Sequence, residues 1–110
     1  MMDGLWTIEF GSGDMFGAGV AVFFQGRILG GDAAHFYDGS YDCKQGSFTA
    51  TIQVNPFIDG VQTVFRTMGK NLTLKISGTR RDEENAIAQG ELSGDPNLKI
   101  GIKLTKRRAI

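Results

Sequence analysis

One cysteine, one histidine and two prolines occur in this chain of 110 residues. A single cysteine, Cys43, excludes an intramolecular disulfide, and no CxxC pair offers a zinc site. That usage predicts a reducing compartment, the cytoplasm. A lone His35 cannot build a histidine-rich metal cluster, and Asp38, three residues on along a strand, falls on the opposite face. Charge of one sign is also missing. Twelve basic and twelve acidic residues sum to zero, which argues against a nucleic-acid binder working through an overall basic field. No apolar run approaches the roughly 20 residues that cross a bilayer as a helix. No charged segment followed by an apolar core suggests a secretory signal. Neither nucleic acid nor membrane is therefore expected as a partner.

Catalytic patterns are equally sparse. No GxSxG elbow is present. Cys43 and His35 share strand parity, but eight residues at strand rise separate them by about 26 Å. Gly11-x-Gly13 and Gly17-x-Gly19 lack the Gly-Lys-Ser/Thr that a phosphate loop needs. The sequence thus predicts no catalytic residue, no metal and no cofactor.

Glycine is abundant, at 16 residues dispersed without a triplet period. With so little proline, that suits tight hairpin turns and close strand packing. Apolar and polar residues alternate with period two from end to end. The strands so predicted are 4–10, 16–25, 27–29, 35–43, 47–55, 72–76, 86–92 and 98–104. Gly11 to Asp14, Gln25-Gly26, Lys44 to Gly46, Arg80 to Asn85 and Ser93 to Pro96 supply turns. The stretch from Pro56 to Lys70 is irregular but apolar, and reads as a connection with a helical turn packed over one barrel end. Short sequential strands at spacings of about 8–12 residues point to an all-β fold. Neighbour pairing and the removal of edges favour a small antiparallel eight-stranded up-and-down β-barrel, one domain spanning 1–110. Residues 105–110, with Lys106-Arg107-Arg108, read as a solvated basic tail.

Alternation assigns Trp6, Ile8, Phe10, Phe48, Ile52, Val54, Leu72, Leu74, Ile76, Ile100 and Ile102 to the interior. A sharp corner is expected at Gly30, Gly31 and Asp32, followed by Gly39. At least one of Gly30 and Gly31 should have positive φ, and the Asp32 carboxylate should accept nearby backbone N–H groups. Tyr37 and Tyr41 share one strand face and are candidates for an exposed homodimer interface. Small residues such as Gly17, Gly19, Ala21 and Ala50 leave room in the interior, so a small apolar ligand lined by Trp6, Phe10 and Phe23 is the alternative use of the fold.

Five ordered motifs carry a family resemblance: Asp3-Gly4-Leu5-Trp6-Thr7-Ile8-Glu9-Phe10, Gly17-x-Gly19, Gly30-Gly31-Asp32, Tyr37-x-Gly39-Ser40-Tyr41 and Phe48-Thr49-Ala50. The chain resembles the GrlR-type family, negative regulators of bacterial type III secretion and their relatives, over residues 3–105. The resemblance implies a lipocalin-like barrel, a homodimer, no catalysis and a protein partner that is a transcriptional regulator. It departs at the hairpin after the fourth strand. The acidic run used there by the best-known member is replaced by Asp42-Cys43-Lys44-Gln45-Gly46.

Overall fold

A computed structural model of the chain describes residues 2–60 and 71–110. Eight antiparallel strands follow one another: β1 (Gly4–Ser12), β2 (Met15–Phe24), β3 (Arg27–Gly31), β4 (His35–Lys44), β5 (Ser47–Pro56), β6 (Leu72–Arg80), β7 (Asn85–Leu92) and β8 (Asp95–Arg108). Each pairs with its sequence neighbour, and β8 returns to β1, closing an up-and-down barrel. The predicted strands are all present, most extended by one to four residues at an end. No helix among the described residues is long and apolar enough to cross a membrane. Most of the irregular stretch before β6 lies outside the described residues. Its first apolar members, Phe57 and Ile58, are exposed.

Two turns show why the hairpins register as they do. Phe24 pairs with Arg27 and Lys44 with Ser47, leaving the two-residue loops Gln25-Gly26 and Gln45-Gly46. Their φ values are 49° and 83° in the first loop and 52° and 85° in the second. Positive φ at both central residues matches the right-handed twist of the flanking strands, and glycine accepts the second position without steric cost.

The interior is assembled as alternation predicts. Trp6, Ile8, Phe48, Ile52, Leu72, Leu74, Ile76 and Ile100 are buried, and Phe10, Val54 and Ile102 pack partly buried against them. Together with Phe23, Ile28, Ala50 and Leu104 they line the barrel interior.

Residues 105–108 are not a free tail. They continue β8, with Thr105 opposite Thr7, Lys106 opposite Trp6 and Arg108 opposite Leu5. Arg107 stands at the register shift in that pairing and donates through Nε to the Thr7 hydroxyl at 2.9 Å. Outward positions on a strand carry charge without penalty, so a basic run reads as a tail while serving as the seam of the barrel.

The corner also departs from expectation. Gly30 and Gly31 are absent from the positive-φ residues and lie in β3. Their use is close approach. A Cβ on Gly30 would stand 2.1 Å from the Val20 carbonyl oxygen, and one on Gly31 2.7 Å from the His35 carbonyl oxygen. Gly39 works in the same way, 2.3 Å from the Thr51 carbonyl oxygen.

Candidate functional site: the barrel cavity and its polar mouth

Strand direction divides the barrel into two ends. One holds the chain start and the hairpins after β2, β4 and β6. The other holds the β1–β2 turn, the Asp32 corner and the β7–β8 turn. The first end is closed by side chains. Met2 and Trp6 are buried, and the Trp6 indole N–H donates to the Met2 carbonyl at 2.9 Å. The Trp6 and Phe23 rings lie 5.8 Å apart, and Phe23 and Tyr41 5.1 Å apart, each pair tilted. The Arg80 guanidinium sits 5.8 Å from the centre of the Trp6 ring system, a cation–π contact.

Behind this plug lies a cavity of about 370 Å³. Its walls are Ile8, Phe10, Phe23, Phe48, Ala50, Ile52 and other inward aliphatic residues. It extends to the second end, where Met15, Phe16 and residues 32–35 line it. Phe16 is 68% exposed, so the cavity meets the surface there. Phe10 and Phe23 line it, as the sequence suggested. Trp6 does not: its ring belongs to the closed end, where Met2, Phe23 and Arg80 hold it. Gly17 and Ala50 are at the wall. Ala21 instead packs against Gly30.

Asp32 accepts backbone N–H groups, in accord with the corner reading. Its Oδ1 takes the amides of Ala34 and His35, each at 2.9 Å, and the His35 ring Nδ1 at 3.3 Å. Its Oδ2 takes the Tyr37 hydroxyl at 2.5 Å. Burial pushes the Asp32 carboxyl up. The bonds from Tyr37, Ala34 and His35 outweigh that penalty and hold it below the usual carboxylate range. Burial and the bond to Asp32 push the Tyr37 phenol well above its ordinary value. Gly19 makes room for this contact, since a Cβ there would stand 2.9 Å from the Tyr37 oxygen.

Tyr37 and Tyr41 therefore face the core and not solvent. Each hydroxyl has an acidic partner, Asp32 for Tyr37 and Asp3 for Tyr41 at 2.8 Å. Burial of a phenol is tolerated when its O–H is bonded. Burial and the Asp3 bond push Tyr41 up to about 12. The assignment of these tyrosines to an exposed interface is thus corrected.

The exposed apolar surface lies on the other face of the same sheet. Val20, Val22 and Phe24 of β2, Leu29 of β3 and Phe36 of β4 are each 38–50% exposed. Val22 pairs with Leu29, and Leu29 with Asp38. Asp38 in turn makes a 3.1 Å ion pair with Arg27. No sequence argument isolated this patch, although the unbroken apolar run from Val20 to Phe24 signalled it.

The cluster at the mouth has the partial form of an acid–histidine pair. Among the described residues no serine, threonine, cysteine or lysine lines the cavity, and the Tyr37 phenol is committed to Asp32. Among those residues, no group of three or more histidine, cysteine or acidic side chains is close enough to hold a metal ion. No protein-family model matches the chain, and a search of curated proteins finds no match.

Proposed function

We propose that the protein is a non-enzymatic binding module, working in the cytoplasm, whose barrel takes a small apolar ligand. The observation that carries this reading is the cavity of about 370 Å³. Its size falls within the usual range for ligand sites, about 300–1,000 Å³, and its walls are apolar with a few convergent polar groups, as such sites are built. At roughly 30 Å³ for each water-sized group, it takes about a dozen non-hydrogen atoms. The test is titration with an apolar fluorophore, together with native mass spectrometry of the purified protein. Ala50→Phe should fill the cavity and abolish probe binding while circular dichroism keeps its β signature. Undiminished binding to the filled variant overturns the reading.

A second reading is favoured by the exposed apolar face of β2, β3 and β4. On it the protein associates with a second copy of itself and, as the GrlR-type resemblance implies, regulates through a protein partner such as a transcriptional regulator. Arg27 and Asp38 stand together at this face with opposite charges. A two-fold axis through it allows each to meet its opposite on the other copy, as an isologous contact requires. Light scattering should report a dimer for the natural protein and a monomer for Leu29→Lys. A monomeric natural protein refutes self-association through this face.

A further inference from the structure

The polar mouth of the cavity has a directional character. Asp32, His35 and Tyr37 all line the cavity. An ionised carboxylate carries no hydrogen, so both of its side-chain bonds are donated to it: one by His35 Nδ1–H, the other by the Tyr37 hydroxyl. Those two hydrogens are thereby turned away from any ligand. In the neutral ring, a hydrogen on Nδ1 leaves Nε2 as a bare acceptor. Among the described residues the side-chain contact of His35 is made through Nδ1, and Nε2 has no partner. The Tyr37 oxygen likewise keeps its lone pairs and has no second hydrogen. Asp32 itself is engaged by four donors: two amides, the imidazole and the phenol.

We propose that the mouth selects an apolar ligand bearing an uncharged hydrogen-bond donor, a hydroxyl head on a hydrocarbon body. The inference rests on the barrel-ligand reading above. A donor head satisfies one of the two acceptors left open at the mouth, His35 Nε2 or the Tyr37 oxygen. A head that only accepts, such as an ether or ester, leaves these acceptors unpaired, at the cost of their lost hydration. A carboxylate head brings a second negative charge close to Asp32. The apolar remainder of the cavity takes the body, and about a dozen non-hydrogen atoms suit a chain of about ten carbons and one oxygen.

Isomeric probes test this directly. 1-Decanol and methyl nonyl ether have the same formula and nearly the same apolar surface, and differ in having or lacking the O–H. Calorimetric titration near neutral pH should show the alcohol binding about tenfold more tightly, the worth of one hydrogen bond at a dry site. Asp32→Asn keeps an oxygen for the corner amides but supplies an NH₂ group, which frees the fixed direction of the Tyr37 and His35 hydrogens. In that variant the preference should fall below about twofold. Equal binding of the two isomers to the natural protein overturns the donor rule while leaving the barrel-ligand reading intact. Binding of neither isomer overturns both. If the variant does not fold, nitrogen NMR of the natural protein decides. Decanol should move the His35 Nε2 resonance from its unprotonated position and the ether should not. An unmoved resonance with bound decanol refutes the proposal.

Discussion

Adding one methyl group at three different glycines should give three different results. At Gly30, in ordinary strand conformation, the new Cβ would stand 2.1 Å from the Val20 carbonyl oxygen and 2.6 Å from the Ala21 Cα. Both are backbone atoms, so no side chain can rotate away, and β2 and β3 must separate. Overpacking of this kind costs about 3 kcal/mol or more. At Gly46 nothing lies within 4 Å of the new atom, but φ is +85°. The cost there is conformational alone, about 1–2 kcal/mol. At Gly101 nothing lies within 4 Å and φ is not positive. Alanine there only restricts the unfolded chain, so stability should hold or rise by up to about 1 kcal/mol. For a domain near this size, each kcal/mol moves the melting temperature by about 4–8 °C. Gly30→Ala should therefore melt about 12–24 °C lower, Gly46→Ala moderately lower, and Gly101→Ala no lower than the parent. Thermal unfolding followed by circular dichroism gives the order. If Gly30→Ala and Gly101→Ala melt together, β2 and β3 are not packed backbone to backbone, and the account of the corner fails.

Two further expectations concern pH and the barrel seam. Tyr37 stays neutral in the folded protein well above its ordinary pKa, whereas in the unfolded chain it ionises near 10. The Tyr37 contribution to stability should therefore be flat below about pH 10 and fall above it, by up to about 1.4 kcal/mol per pH unit. Tyr41 should add a smaller share up to about 12. Urea unfolding at stepped alkaline pH measures this, and a Tyr37→Phe variant with an equally steep alkaline limb would rule Tyr37 out as the cause. Truncation after Leu104 removes the partners of Leu5, Trp6 and Thr7 and the 2.7 Å bond from the Lys106 amide to the Glu84 carbonyl. With several backbone bonds lost at about 1 kcal/mol each, the urea midpoint should drop by the equivalent of about 3 kcal/mol. An unchanged midpoint would restore the reading of these residues as a tail.

The strands were legible because a half-buried strand writes its two faces directly into the sequence. Ile8, Ile52, Leu74 and Ile100 needed nothing more than alternation. The two Gln-Gly loops were legible for a similar reason, since the backbone at each is decided locally. What escaped was decided by distant partners. Tyr37 and Tyr41 could face either way until Asp32 and Asp3 were seen to receive their hydroxyls. Gly30 and Gly31 looked like turn residues because glycine serves sharp turns and close packing alike. Only the proximity of Val20 and His35 separates the two uses. Trp6 reads as a cavity wall by parity, and it is the returning Met2 that assigns it to the plug. The site was half legible: Phe10, Phe23, Gly17 and Ala50 were foreseen at the wall, and the Asp32–His35–Tyr37 cluster was not, because its members meet across a corner that breaks strand parity.

The seam between β1 and β8 has a consequence for how the chain reaches this shape. Seven of the eight pairings join sequence neighbours and can form as soon as each hairpin exists. The eighth joins residues about 100 apart, as Arg107 and Thr7 show. Contacts of such span carry the largest loop-closure entropy, and their reward comes last. During synthesis β1 emerges before the other strands and has no partner on one side until β8 has been made. Over that interval its unpaired edge can recruit another nascent chain. The basic run that completes β8 is therefore also what ends that exposure, because its pairing with Leu5 and Trp6 covers the last open stretch of the β1 edge.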